Sequence, residues 1–66
     1  MRRAMLEALE KKYEADIASG DATIHIYLNN SVGIGEHPQH LEEIDKQLAK
    51  LVEAEEKKTA LQVFKL

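Results

Sequence analysis

The apolar residues in the first half of this chain recur at alternating steps of three and four. The series has spacings of 3, 4, 4, 3, 4 and 3 and consists of Leu6, Leu9, Tyr13, Ile17, Gly20, Ile24 and Tyr27, with Leu28 beside the last. Such spacing places the side chains on one face of an α-helix, as in the seam of a coiled coil. The pattern therefore predicts a first helix over residues 2–29.

Residues 22–28 also fit a second interpretation. They alternate in period two and are rich in β-branched and aromatic side chains, and residues 19–21 before them resemble a turn. A short strand that pairs with a second chain is therefore an alternative to helix. Helix is preferred because the heptad phase continues unbroken through Gly20.

A second apolar stripe follows and predicts a helix over residues 38–64. It weakens after Val52, so the two helices are expected to pack better near the turn than at their open end. Two helices of nearly equal length favour an all-α fold, an antiparallel two-helix hairpin in one domain over residues 1–66. The predicted hairpin core consists of Leu6, Leu9, Tyr13, Ile17, Ile24, Leu28, Leu41, Ile44, Leu48, Leu51 and Val52. Folding the chain about Ile34 predicts that Gly20 lies against Leu48; a kink of the first helix at Gly20 is the alternative explanation of this glycine.

The segment between the helices, residues 30–37, is predicted to be a turn. Gly33 and Gly35 adopt positive φ at little cost. Val32 and Ile34 are apolar in a polar loop, and we expect them to close this end of the hairpin.

The chain is too short to build a large core. It has 66 residues and no Cys, so disulfides and thiolate metal sites are excluded. Oligomerisation, partner binding and tight helix packing remain as ways to stabilise it, and we expect a dimer or a four-helix bundle. No run approaches the roughly 18 apolar residues that a membrane span needs, and no targeting segment is visible.

Small residues line a second face of the first helix, away from the Leu/Ile stripe. Small side chains allow another helix to approach closely, although Ala is also a common helix former on solvated faces. We call this set the alanine face and predict that it is an interface. It consists of Ala4, Ala8, Ala15, Ala18, Ala22 and Ile26.

Charge is unevenly distributed along the predicted hairpin. Residues 1–13 and 57–66, at the open end, have a net charge of +5, whereas residues 14–56 have −8. Such a field can steer a charged partner. A nucleic-acid accessory role for the basic end is an alternative, but it is not the expected function because no aromatic residues are interleaved with the basic ones.

The sequence contains no nucleophile motif, phosphate loop or dinucleotide fingerprint, so we expect neither an enzyme nor a cofactor. Glu36, His37 and His40 are the candidate metal ligands, fewer than a closed zinc site needs. Metal- or pH-dependent assembly through His37 and His40 is therefore a second alternative. A local role in starting the second helix explains the same residues.

The stretch over residues 27–38, YLNNSVGIGEHP, resembles a turn segment in small helical proteins of T4-like cyanobacterial phages. This chain has Ser31 where that family often has Pro. The resemblance implies a phage accessory protein in the host cytoplasm that binds and modulates a host or virion protein, and it supplies no catalytic residues. Together with the residue patterns, it indicates a non-enzymatic protein–protein interaction module.

Overall fold

The chain forms two helices. The computed structural model describes the backbone of residues 1–34 and 39–66, and the side chains of residues 1–29 and 40–66. Helix α1 spans Arg2–Ile34, and helix α2 spans Gln39–Phe64. No strand occurs within these ranges, so residues 22–28 are helical, as preferred from the heptad phase.

Helix α1 continues past the end predicted from the sequence. The predicted turn began at residue 30, but residues 30–34 form the last part of α1. Gly33 costs a helix only about 1 kcal/mol relative to Ala, which the preceding turns of helix offset. Gly35, Glu36 and His37 lie outside the described residues, as do the side chains of Val32 and Ile34, and the closing role of those two side chains stays a prediction.

The two helices run antiparallel and pack along their length. The molecule is a rod with principal extents of 48 × 14 × 13 Å. At one end, the Arg2 guanidinium of α1 donates a hydrogen bond to the carbonyl oxygen of Phe64 on α2. The all-α helical hairpin predicted from the sequence is thus confirmed.

The seam between the helices follows heptad spacing on both of them. On α1 the seam consists of the buried or half-buried Leu6, Glu10, Tyr13, Ile17, Gly20, Ile24 and Tyr27, and the half-buried Glu14, Asp16 and Thr23 flank it. On α2 the seam consists of His40, Ile44, Gln47, Leu51, Ala54, Lys58 and Leu61, and the half-buried Glu43 flanks it. The α1 seam coincides with the predicted stripe except that Glu10 replaces Leu9. The α2 seam shares only Ile44 and Leu51 with the prediction.

The helices approach each other closely at Gly20. A Cβ atom placed on this buried glycine would lie 3.3 Å from Cβ of Leu51 and 3.4 Å from the carbonyl oxygen of Gln47. The prediction that Gly20 faces a large side chain is therefore correct, but the partner is Leu51 and not Leu48. In this register α2 lies so close that a larger residue at position 20 would require the neighbouring atoms of α2 to shift.

Packing is tightest away from the turn. Among the described hydrophobic side chains, only Ala54 and Leu61 are buried, and both belong to the half of α2 nearer the open end. Leu28 and Leu41, at the other end of the described side chains, are exposed. The prediction of better packing near the turn is therefore wrong for these residues. After Val52, the predicted inner positions of α2 lie one residue away from the positions that pack against α1.

Within the described ranges, neither helix combines the length and the apolar character needed to cross a membrane.

Candidate interaction surfaces

The open end of the hairpin is held by contacts between charged groups on the two helices. Nζ of Lys65 lies 3.0 Å from both carboxylate oxygens of Glu10. Nε2 of Gln62 donates a hydrogen bond of 3.3 Å to Oε2 of the same carboxylate. The Lys65 and Gln62 hydrogen bonds, in that order of importance, lower the pKa of Glu10 below its ordinary value.

A second cross-helix ion pair lies about one turn further along. Nζ of Lys58 is 3.2 Å from Oε2 of Glu14, and Nζ of Lys11 on the same helix is 3.5 Å from Oε1. The hydrogen bond from Lys58 lowers the pKa of Glu14, and the charge of Lys11 adds to this effect. Three of the basic groups that give this end its positive charge (Lys11, Lys58 and Lys65) are therefore already paired with carboxylates.

Lys57 is paired along its own helix. Its Nζ lies 2.8 Å from Oε1 of Glu53 and 5.9 Å from the ring centroid of Tyr13 on α1. The hydrogen bond with Lys57 lowers the pKa of Glu53, and the same bond raises the pKa of Lys57. The pairing leaves this lysine less available to an outside anion.

Apart from Ala18, which also borders the groove between the helices, the alanine face points away from α2. All six of its residues, Ala4, Ala8, Ala15, Ala18, Ala22 and Ile26, are exposed. The helical period places them on the side of α1 opposite Gly20, which faces Leu51. The hairpin thus leaves this surface open, and its role as an interface stays a prediction.

Five residues predicted to lie in the hairpin core are instead exposed. These are Leu9, Leu28, Leu41, Leu48 and Val52. Their exposure has a physical cause. Gln47, Ala54 and Lys58 of α2 pack against α1, so the face that bears Leu41 and Leu48 points outwards. The other six predicted core residues are half-buried between the helices, namely Leu6, Tyr13, Ile17, Ile24, Ile44 and Leu51.

Three of the exposed leucines share one side of the hairpin. A groove between the helices is lined by Glu14, Ile17, Ala18 and Asp21 of α1 and by Leu51, Glu55 and Lys58 of α2. Leu28 follows Asp21 by one heptad, and Leu48 and Leu41 precede Glu55 by one and two heptads. Residues separated by a heptad point the same way. We call this surface the leucine side: the apolar part of the groove (Ile17, Ala18 and Leu51) together with Leu28, Leu41 and Leu48.

The histidines are placed separately. The ring of His40 lies 5.8 Å from that of Tyr27, centroid to centroid and tilted by 54°, and thus joins the two helices. His25 lies 3.4 Å from Asp21 on its own helix. Glu36 and His37 lie outside the described residues. Among the residues that are described, no group of three potential ligands could hold a metal ion.

Sequence reasoning missed Ala54, Leu61 and Glu10. A signal for the first two was present, because Gln47, Ala54 and Leu61 are separated by heptads. Polar Gln47 and Lys58 hid it by interrupting the series. Glu10 gave no hydrophobic signal, since its burial depends on the pairing with Lys65 across the hairpin.

Comparison of the chain with protein-family models, with curated proteins and with solved structures finds no match.

Proposed function

We propose that this chain is a non-enzymatic protein–protein interaction module. The observation that supports it most is the distribution of apolar groups. Of the described hydrophobic side chains only Ala54 and Leu61 are buried, whereas eleven large ones are exposed, among them Leu28, Leu41 and Leu48. Large exposed apolar patches on small proteins mark binding sites.

The exposed apolar groups are ordered along the helices. Leu41 and Leu48 of α2 lie with Leu28 on the leucine side, and Ile26 lies with the alanines on the back of α1. Helix faces with heptad spacing are the usual contact surfaces between helices. A partner that supplies one or more helices therefore suits both surfaces.

The proposal includes the biological setting implied by the resemblance. It is an accessory protein of a cyanobacterial phage that acts in the host cytoplasm by binding a host or virion protein. The alanine face is the surface we assign to that partner, since its small side chains permit a close helix–helix approach.

Affinity capture with matched variants tests this function. The bait is the full chain, the source is cyanobacterial lysate, and Ala15→Glu places a charge in the alanine face. Ala49→Glu is the control, because Ala49 is an exposed alanine on α2. We expect one protein that binds the wild type and the control but not Ala15→Glu. A set of proteins that binds all three baits equally would contradict the assignment of this face.

A nucleic-acid role predicts a different result. Phosphate contacts are strongest at low salt, so a basic end that binds nucleic acid must do so there. We expect no shift of single- or double-stranded DNA or RNA in low-salt electrophoresis, because Lys11, Lys58 and Lys65 are already paired. A shift that disappears at high salt would contradict the proposed function.

A further inference from the structure

The hairpin exposes more surface than a folded chain of its size should. A globular monomer of 7.5 kDa is expected to expose about 4,200 Å². This chain exposes 5256 Å², an excess of roughly 1,000 Å² relative to that scaling. The excess follows from the rod shape, which is only 14 × 13 Å in cross-section.

That excess area is close to the surface area that one partner buries on forming a dimer. A standard stable interface buries about 800 Å² on each partner. Measured against an unfolded chain, the hairpin alone buries about 52% of its surface, whereas a domain of this length usually buries about 60%. Removing a further 1,000 Å² or so brings the fraction to the usual value.

We propose that a second copy of this chain covers the leucine side, with the two hairpins face to face and antiparallel in a four-helix bundle. The inference rests on the proposed interaction function and deepens it by naming one partner and its surface. It concerns a different surface from most of the alanine face. Only Ala18 belongs to both surfaces, and the other five residues of the alanine face stay open in this assembly.

The leucine side is suited to a two-fold contact with itself. Its leucines are largely uncovered, with Leu28 58%, Leu41 76% and Leu48 48% exposed. Beside them runs the groove whose apolar part is Ile17, Ala18 and Leu51. Its charged lining consists of Glu14, Asp21, Glu55 and Lys58. A surface with ridges and a groove can interdigitate with its own copy, as an isologous interface requires.

The level of the two-fold axis follows from the register. Gly20 lies opposite Leu51, so Leu48 on α2 is level with residue 23 on α1. Leu48 is near the middle of the stripe from Leu41 to Val52, and residue 23 is near the middle of 17–28. A single two-fold axis at this level therefore places the apolar segment of each helix against the same segment of the second copy. It places each α2 against the α2 of the second copy.

An antiparallel arrangement also keeps like charges apart. The open end of each hairpin has a net charge of +5 over residues 1–13 and 57–66. A perpendicular two-fold axis sends these ends in opposite directions along the rod, whereas a parallel pair would place them side by side. The lower repulsion favours the antiparallel pair.

Single-cysteine cross-linking measures this geometry directly, because the chain has no Cys of its own. Leu48→Cys places two thiols beside the axis. Leu41→Cys, on the same side, places them about 21 Å apart along the rod. We expect a short bis-maleimide to link Leu48→Cys into dimers and to leave Leu41→Cys unlinked. Equal linkage at both positions would overturn the antiparallel arrangement.

Sedimentation equilibrium provides the matched test of the surface. We expect the wild type and the exposed control Ala49→Glu to have twice the mass of 7.5 kDa. Leu48→Glu should dissociate at least about 100-fold more readily, because it buries a charge in the interface. Cross-linking of the milder Leu48→Cys keeps the inference testable if Leu48→Glu loses its fold.

The remaining outcomes separate this inference from the proposed function. A dimer that tolerates Leu48→Glu but is broken by Ala15→Glu would overturn the leucine side and assign self-association to the alanine face. A monomeric chain that still captures a protein from lysate would overturn the dimer and leave the interaction module intact. A monomer that captures nothing specific would overturn both.

Discussion

The two halves of the hairpin are stabilised in different ways. In the open half, Ala54 and Leu61 are buried, and Glu10 and Glu14 form ion pairs with Lys65 and Lys58 across the helices. In the half nearer the turn, Leu28, Leu41 and Leu48 are exposed. Both halves are helical over the described residues, so the difference lies in which surface each half presents. Large apolar residues are exposed in the open half as well, among them Met5, Val63 and Phe64. The half nearer the turn differs in that its exposed leucines lie together on the leucine side, which a second chain can cover.

A matched pair of leucines gives the largest expected contrast. Leu61→Ala removes a buried side chain and should lower the free energy of unfolding by about 2–3 kcal/mol. Leu41→Ala removes an exposed one and should have almost no effect on the diluted monomer. Urea unfolding followed by circular dichroism at low concentration compares the two. Equal losses would contradict the difference between the halves.

Gly20 tests whether close approach defines the seam. Gly20→Leu should lower the free energy of unfolding by about 2 kcal/mol, because the side chain meets Leu51 and the Gln47 carbonyl. Gly20→Ala should be close to neutral, since a gain in helix propensity of about 1 kcal/mol offsets the tight contact. Leu and Ala are both good helix formers, so the difference between their thermal melts isolates packing. A stabilising Gly20→Leu would show that the helices do not meet here.

The ring contact near the turn should contribute less. His40→Ala removes the pairing with Tyr27 and should cost about 1 kcal/mol. Tyr27→Phe keeps both rings and serves as the control, with no expected change. Thermal melting at neutral pH measures both. A larger loss in Tyr27→Phe than in His40→Ala would mean that the Tyr27 hydroxyl, and not the ring contact, is the stabilising group.

Acid should produce the smallest effect, and mainly in the open half. The pKa values of Glu10 and Glu14 are lowered in the folded chain, so their contribution is present above the ordinary value of 4.5 and is lost as pH falls through the folded pKa. Hydrogen exchange below pH 4.5, corrected for intrinsic rates, should reveal earlier opening near residues 6–14 than near 20–28.

Glu10→Gln is the control for the acid experiment. It cannot change its charge, so its stability should depend less on pH over the same range. Acid sensitivity equal to that of the wild type would show that the contact with Lys65 does not stabilise the open half.

The fold class was predictable because helical periodicity is a local property. The positions of Leu6, Tyr13, Ile17 and Gly20 define the inner face of α1 without any knowledge of α2. The face of α2 was not predictable in the same way. Leu41 and Leu48 are more hydrophobic than Gln47 and Ala54, yet Gly20 and Ala54 allow a closer approach that favours the less hydrophobic face.

The predicted and observed faces of α2 are both informative. Hydrophobicity identified Leu41, Leu48 and Val52 as buried positions, and within one chain they are exposed. In a four-helix bundle each helix packs against more than one neighbour and needs a wider apolar face than a two-helix seam. The hydrophobic pattern of Leu41, Leu48 and Val52, which led to a wrong prediction of the hairpin core, is thus the pattern expected of the larger core of a four-helix bundle.

The mass of the wild-type chain in solution tests the central claim most directly. Sedimentation equilibrium over a wide range of concentration should give twice the mass of 7.5 kDa, with dissociation only on dilution. A fully helical chain with a mass of 7.5 kDa at every concentration would contradict the account. The half of the hairpin near the turn would then be stable without a second copy.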